Sequence, residues 1–449
     1  MKLSRRFSVA LTASVLTLGS AAAGVMLSPA GASTDPGVNT GTKTITIGAT
    51  VPLTGLASLG FADVAKSAIS VFNYVNKAGG INGWKVNFVA KDDCYNLGLC
   101  PGVPGTVTQT NALEALPVFA TVGSLGTATQ QSVKDQLKAD GVPQLFVNSG
   151  ANQWNDPHNY PTLFGFQTNY LAEGKIFANY ITTSLKGKSV GFIGQNDDFG
   201  TDGLQGLKNG GVSPSGNLQQ WYGSTDIVFN QGVFTTDLTA LKNAGAQVVV
   251  LDTIPQATNL VLKAAKNIGF KGQFLISGVG SDPTTVNNAT ENGAVTFTFL
   301  PASSATTNPW NAWIAKVLAA SSGTTSNGVS AETFKKGAKL NANQQYGAAW
   351  AVAFLEVLNK ATLNNGVPTR SGFISALETT SFQTPGLVPL AFSPTNHQGF
   401  TGGILVTVLS SASTKDTKQI GTTVYNVDPS TQALTSSKLV SSTVPTYLH

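Results

Sequence analysis

Histidine, cysteine and a poised serine carry most nucleophilic and acid–base chemistry, and this chain is poor in the means to use them. Its 449 residues hold three histidines (His158, His397, His449) and two cysteines (Cys94, Cys100). It contains no G-x-S-x-G elbow and no H-E-x-x-H helix, the two commonest assemblies for acyl transfer and zinc hydrolysis. No cofactor motif is present, so recognition is the chemistry to look for. Three turns gather small and hydroxyl-bearing residues: 51–59, ending in Leu59; Gly123-Ser124-Leu125-Gly126-Thr127-Ala128-Thr129; and Asn148-Ser149-Gly150. Where such a turn opens a helix, unpaired N–H groups and the hydroxyls of Ser124 and Thr127 can cradle an anion. The same residues make plain N-caps in most helices, and spacing alone leaves both readings open.

Each turn follows an extended segment and precedes a helical one. Thr44, Ile45, Thr46 and Ile47 alternate polar and apolar until Pro52 and Gly55 interrupt. Phe61, Val64, Ala65, Ala68, Ile69, Phe72 and Val75 then recur at three- and four-residue steps, one face of a helix stopped by Gly79-Gly80. Val86, Phe88 and Ala90 resume a strand. Strand, crossover helix, strand predicts a parallel, doubly wound sheet, whose ligands lie beyond the carboxyl ends of its strands. Residues 118–122 and 145–147 are further apolar runs, each feeding one of the polar turns. After Phe166-Gln167-Thr168 the pattern restarts, with a helix over 172–185, strands over 190–193, 248–251 and 274–276, and strand-end residues Phe199, Asp252, Thr253 and 277–280, Gly278 among them. Trp310, Trp313, Tyr346, Trp350 and Phe354 fall at helical spacing and read as core.

Lys2, Arg5 and Arg6 precede an apolar run over 9–27, and Ala30-Gly31-Ala32 follows. Residues 1–32 read as a secretory signal, diluted by too many Ser, Thr and Gly to anchor a membrane. Without it Lys+Arg falls from 27 to 24 against 22 acids, a near-neutral balance with no basic cluster. Such a surface cannot neutralise phosphates, which excludes nucleic acid as partner. In a chain that leaves the cytoplasm, Cys94 and Cys100 favour a local disulfide over a zinc site, for which no histidine stands nearby.

Taken in order, Pro52-Leu53-Thr54-Gly55, the run from Asn76 to Gly83 (Asn-x-x-Gly-Gly-Ile-x-Gly), Asp92-Asp93, the 123–129 turn, Asp198-Phe199-Gly200 and His397-Gln398-Gly399-Phe400 resemble the substrate-binding proteins of branched-chain amino-acid type ABC transporters. The resemblance spans about residues 44–407. It implies the type I periplasmic-binding-protein fold: two doubly wound α/β lobes joined by three crossing segments, near Thr168, Pro301 and Leu390. The lobes would be 44–167 plus 302–390, and 168–301 plus 391–449. It implies a monomer outside the cytoplasmic membrane that traps a small solute and serves ABC permease and ATPase subunits, without cofactor. A ligand-sensing receptor subunit, or a secreted enzyme, are the rival functions. The ligand carboxylate would lie against Ser124, Thr127, Asn148, Ser149 and Gly150, under the ring of Phe199. The family's acid for the ligand ammonium aligns with Gly278, which has no carboxylate. Either Asp252 or Asp282 replaces it, or the ligand is not an α-amino acid.

Overall fold

The polar–apolar alternation at residues 44–47 becomes the strand Thr44–Val51, with Ile45 and Ile47 fully buried. This is a computed structural model, and it describes residues 34–96, 100–440 and 443–448. The expected signal at 1–32 lies outside the described residues. Thr44–Val51 pairs in parallel with Lys85–Asp92 on one side and with Thr121–Val122 on the other. Gln144–Val147 and Leu163–Gly165 extend the parallel row, and Val38–Asn39 adds a short antiparallel pair.

A second sheet repeats the arrangement. Gln219–Tyr222, Val190–Gln195, Val248–Asp252, Gln273–Ile276 and Val295–Thr298 lie side by side in parallel, their apolar runs covered by helices on both faces. Gly402–Ser410 then pairs antiparallel with Val295–Thr298, and Lys415–Gln419, Val424–Val427 and Leu434–Ser437 build out that edge. Two α/β lobes result. The chain passes between them at residues 166–169, 298–302 and 400–402. Beside the last passage the hairpin Leu390–Ser393 and Asn396–Phe400 stays with the first lobe. His397 pins it there, its ring stacked 3.6 Å from Phe164 and its Nδ1 2.9 Å from the Leu163 carbonyl.

The first lobe is centred on the helix Ala342–Ala361, which packs against Ser58–Lys77. Trp350 is fully buried there, its ring 5.8 Å from Phe72 and 5.6 Å from Phe88. Removing such a ring costs about 3–5 kcal/mol. Trp350 also sets the height of the polar turn above it: Gly123, at φ +71°, lies so close that any Cβ would come 2.6 Å from the indole. Cys94 and Cys100 are joined as a disulfide, packed against Gly55 in the 51–59 loop. Among the described residues, no helix is long and apolar enough to cross a membrane.

Candidate functional site

The polar turns of the first lobe are stitched to one another before any ligand is considered. Ser124 Oγ accepts the Thr50 N–H (3.1 Å), the Leu125 N–H donates to the Thr50 carbonyl (3.0 Å), and the Gly126 N–H to that of Asn148 (3.1 Å). Thr127 Oγ1 and Ser149 Oγ lie 2.7 Å apart. Into this pair reaches Tyr170, first residue of the helix Tyr170–Ser184 on the opposite lobe. Its hydroxyl lies beside Thr127, Ser149 and Gly150, its backbone N–H donates to the Gly150 carbonyl (2.8 Å), and its ring lies 4.5 Å from that of Phe199. Burial holds the phenol proton firmly on. The hydroxyls of the cradle are thus engaged by the chain itself.

Phe199 is positioned by Asp197, which caps the helix Asp198–Asn209 through the Phe199 N–H at 2.9 Å. Tyr95, beside the disulfide, reaches Gln195 of the second lobe, which also takes the Tyr222 hydroxyl at 3.2 Å.

Next to these rings is a cavity of about 80 Å³, walled by Phe61, Asn148 and Tyr346 of the first lobe, Glu173 and Gly278 of the second, and Gln167 of a crossing segment. Glu173 is 4% exposed. Its Oε1 accepts the Gly278 N–H (2.7 Å) and its Oε2 the Ser277 hydroxyl (3.1 Å). Burial outweighs those two bonds and pushes its carboxyl up to about 7. Asn148 Nδ2 and Tyr346 Oη are buried and have no hydrogen-bond partner among the described residues. An unpartnered buried polar group costs about 1–3 kcal/mol. Both atoms belong to residues that wall the cavity, across from Glu173.

The lobes touch through backbone donors and carboxylates. The Asn152 N–H donates to Asp202 (2.7 Å), Gln153 to Asp198 (2.7 Å), and Gln256 to the Leu56 carbonyl (2.7 Å). Asp282 caps Thr284 with one oxygen (2.8 Å) and accepts the Ala342 N–H of the first lobe with the other (2.8 Å).

The structure therefore divides the residues singled out from sequence. Asn148 and Gly278 meet on the cavity wall. Ser124, Thr127, Ser149, Gly150 and Phe199 form the neighbouring cradle, occupied by Tyr170. Leu59 is 62% exposed on an outer groove with Asn259 and Lys263, away from both. Asp252 lies under the second-lobe helices, its Oδ2 against Gly203. Burial there, with Glu173 and Asp202 nearby, raises its carboxyl well above the usual range. Asp282 is committed to its two caps. The carboxylate beside Gly278 belongs instead to Glu173, whose one signal was an acid among the apolar positions of a predicted helix's first turn. Tyr346 was hidden by ordinary helical spacing, and Tyr170 stood just ahead of the helix expected over 172–185.

The sequence matches the periplasmic binding protein family over residues 44–414. It is 27% identical to a Leu/Ile/Val-binding protein homolog of Brucella melitensis, over 59% of this chain and 69% of that one. It is 23% identical to a leucine-, isoleucine-, valine-, threonine-, and alanine-binding protein of Pseudomonas aeruginosa, over 54% of this chain and 62% of the relative, under two thirds of its length. Two solved structures share the fold. One is a fatty acid ABC transporter substrate-binding protein of Thermomonospora curvata (TM-score 0.69, 18% identity, covering 86% of this chain and 94% of that one). The other is a branched-chain amino acid ABC transporter protein of Thermus thermophilus with bound valine (0.65, 17%, 84% and 95%).

Proposed function

Because the chain belongs to the periplasmic binding protein family, we propose that it captures a small polar solute between its lobes outside the cytoplasmic membrane and hands it to an ABC permease. The observation that supports this most is the cavity at the lobe junction, with Glu173 on one wall and the unpartnered Asn148 Nδ2 and Tyr346 Oη on the other. A solute bonded to both walls favours the closed form over the open one, which is how a clamp converts affinity into a signal. We take the working division as two lobes that exchange chain at residues 166–169, 298–302 and 400–402, acting as a monomer.

The test is a thermal-shift and calorimetric screen of purified protein, first unfolded and refolded to strip carried-over solute. The panel sets amino acids beside simple carboxylates, amides, urea and polyamines. A true ligand at a hundred times its Kd adds about 2.7 kcal/mol. One-to-one binding with a rise in Tm supports capture, and a flat response across the panel counts against it. Binding of the same solute to a reconstituted permease complex, with transport, separates delivery from sensing by a receptor.

A further inference from the structure

We infer that Glu173, not a residue of the Gly278 turn, is the acceptor that selects the ligand, and that the ligand is a compact carboxamide or urea-type solute. This rests on the capture reading above and narrows it. The solute's N–H group would face Glu173 on the second lobe, and its carbonyl oxygen would receive Asn148 Nδ2 and Tyr346 Oη from the first.

Three observations converge. Glu173 is held in place by the Gly278 N–H and the Ser277 hydroxyl, which leaves carboxylate lone pairs for a third donor. A side chain on residue 278 would crowd this arrangement, since its Cβ would lie 2.8 Å from the Phe297 carbonyl and 3.8 Å from Glu173 Oε1. The opposite wall is formed by Asn148 and Tyr346, whose Nδ2 and Oη have no hydrogen-bond partner among the described residues. Donors on one side and an acceptor on the other are the complement of a group carrying both C=O and N–H.

Charge and size exclude the alternatives. Among the described residues no lysine or arginine lines the cavity, so a carboxylate placed there would meet Glu173 with no cation to offset it. The neighbouring cradle cannot take it either while Tyr170 engages Thr127, Ser149 and Gly150. The cavity is small, about 80 Å³, and a compact solute fits it with the least parting of the lobes.

Isothermal titration would use urea, acetamide and propionamide as probes, with methylammonium, acetate, glycine and leucine as contrasts. One-to-one binding of an amide is expected, with acetate and methylammonium silent. Glu173→Gln should weaken it by about tenfold or more. Tyr346→Phe, which removes one oxygen from an otherwise unchanged fold, should weaken it several-fold. Circular dichroism and Tm establish that both variants are folded. Equal amide affinity in wild type and folded Glu173→Gln overturns the inference. So does leucine or acetate binding with the amides silent, an outcome that leaves capture itself standing. If neither compact amides nor any of the wider panel bind, both readings fall together.

Discussion

Asn148 and Ser149 are neighbours on one strand end, yet they turn into regions of opposite character. Ser149 enters the cradle, where Thr127 and Tyr170 satisfy it; Asn148 enters the cavity, where its Nδ2 meets no partner. Both regions contain short polar residues at the carboxyl edge of a parallel sheet. Residue type does not tell them apart. The difference is whether the fold has already used the hydrogen-bonding capacity, and on the proposed reading the first region serves stability and the second recognition.

That contrast can be broken most severely at Tyr170. Tyr170→Ala removes a buried ring packed against the cradle, and the loss expected in urea denaturation is about 3–5 kcal/mol. It also frees the cradle, so acetate should now raise Tm where it did not before. A loss below 1 kcal/mol would show that Tyr170 does not hold the cradle closed.

Proton linkage sharpens the other side. Glu173, Glu332 and Glu356 are pushed up to about 7, and Asp93, Asp202 and Asp237 to about 6, in each case chiefly by burial. Their folded pKa values lie above the unfolded ones, so the native state binds more protons in between. Stability is then greatest below about pH 4.5 as far as these groups are concerned, and is lost as pH rises through 6 to 7. Between pH 5 and 8 Tm should fall by roughly 5 °C or more, and Glu173→Gln should flatten part of that slope. A Tm that rises over this interval would contradict the burial of these carboxyls.

Smaller effects discriminate within the pair. Thr127→Ala should cost about 1–2 kcal/mol of stability and leave amide affinity unchanged. A fall in affinity with stability intact would return the cradle to the binding site. Tyr346→Phe, at the unpartnered end, should leave the empty protein as stable as before or raise it by up to about 1 kcal/mol. A clear destabilisation would mean that the Tyr346 hydroxyl has a partner in the empty protein.

Much of the fold was legible because its signals are local. The alternation at 44–47, the helical stripe from Phe61 to Val75 and the apolar runs at 118–122 and 248–251 each depend on neighbours in sequence. The disulfide was legible for the same reason, with its two cysteines six residues apart. The polar turns were found as well, but not their state. Tyr170 lies about twenty residues beyond Ser149 and on the other lobe, so nothing near Thr127 announces that its hydroxyl is taken. Glu173 and Gly278 are likewise brought together only by helix-on-sheet packing. Asp252 looked available at a strand end because period-two alternation does not say which face a helix will cover.

Asp282 ties one lobe to the first turn of the helix that runs through the core of the other, through the Ala342 N–H. Parting of the lobes therefore leaves that amide without its acceptor, although Asn341 still caps Gln344 within the same helix at 2.8 Å. Parting of the lobes is thus written into a single backbone position on the cavity wall. Hydrogen exchange at Ala342 would report how often the two lobes part.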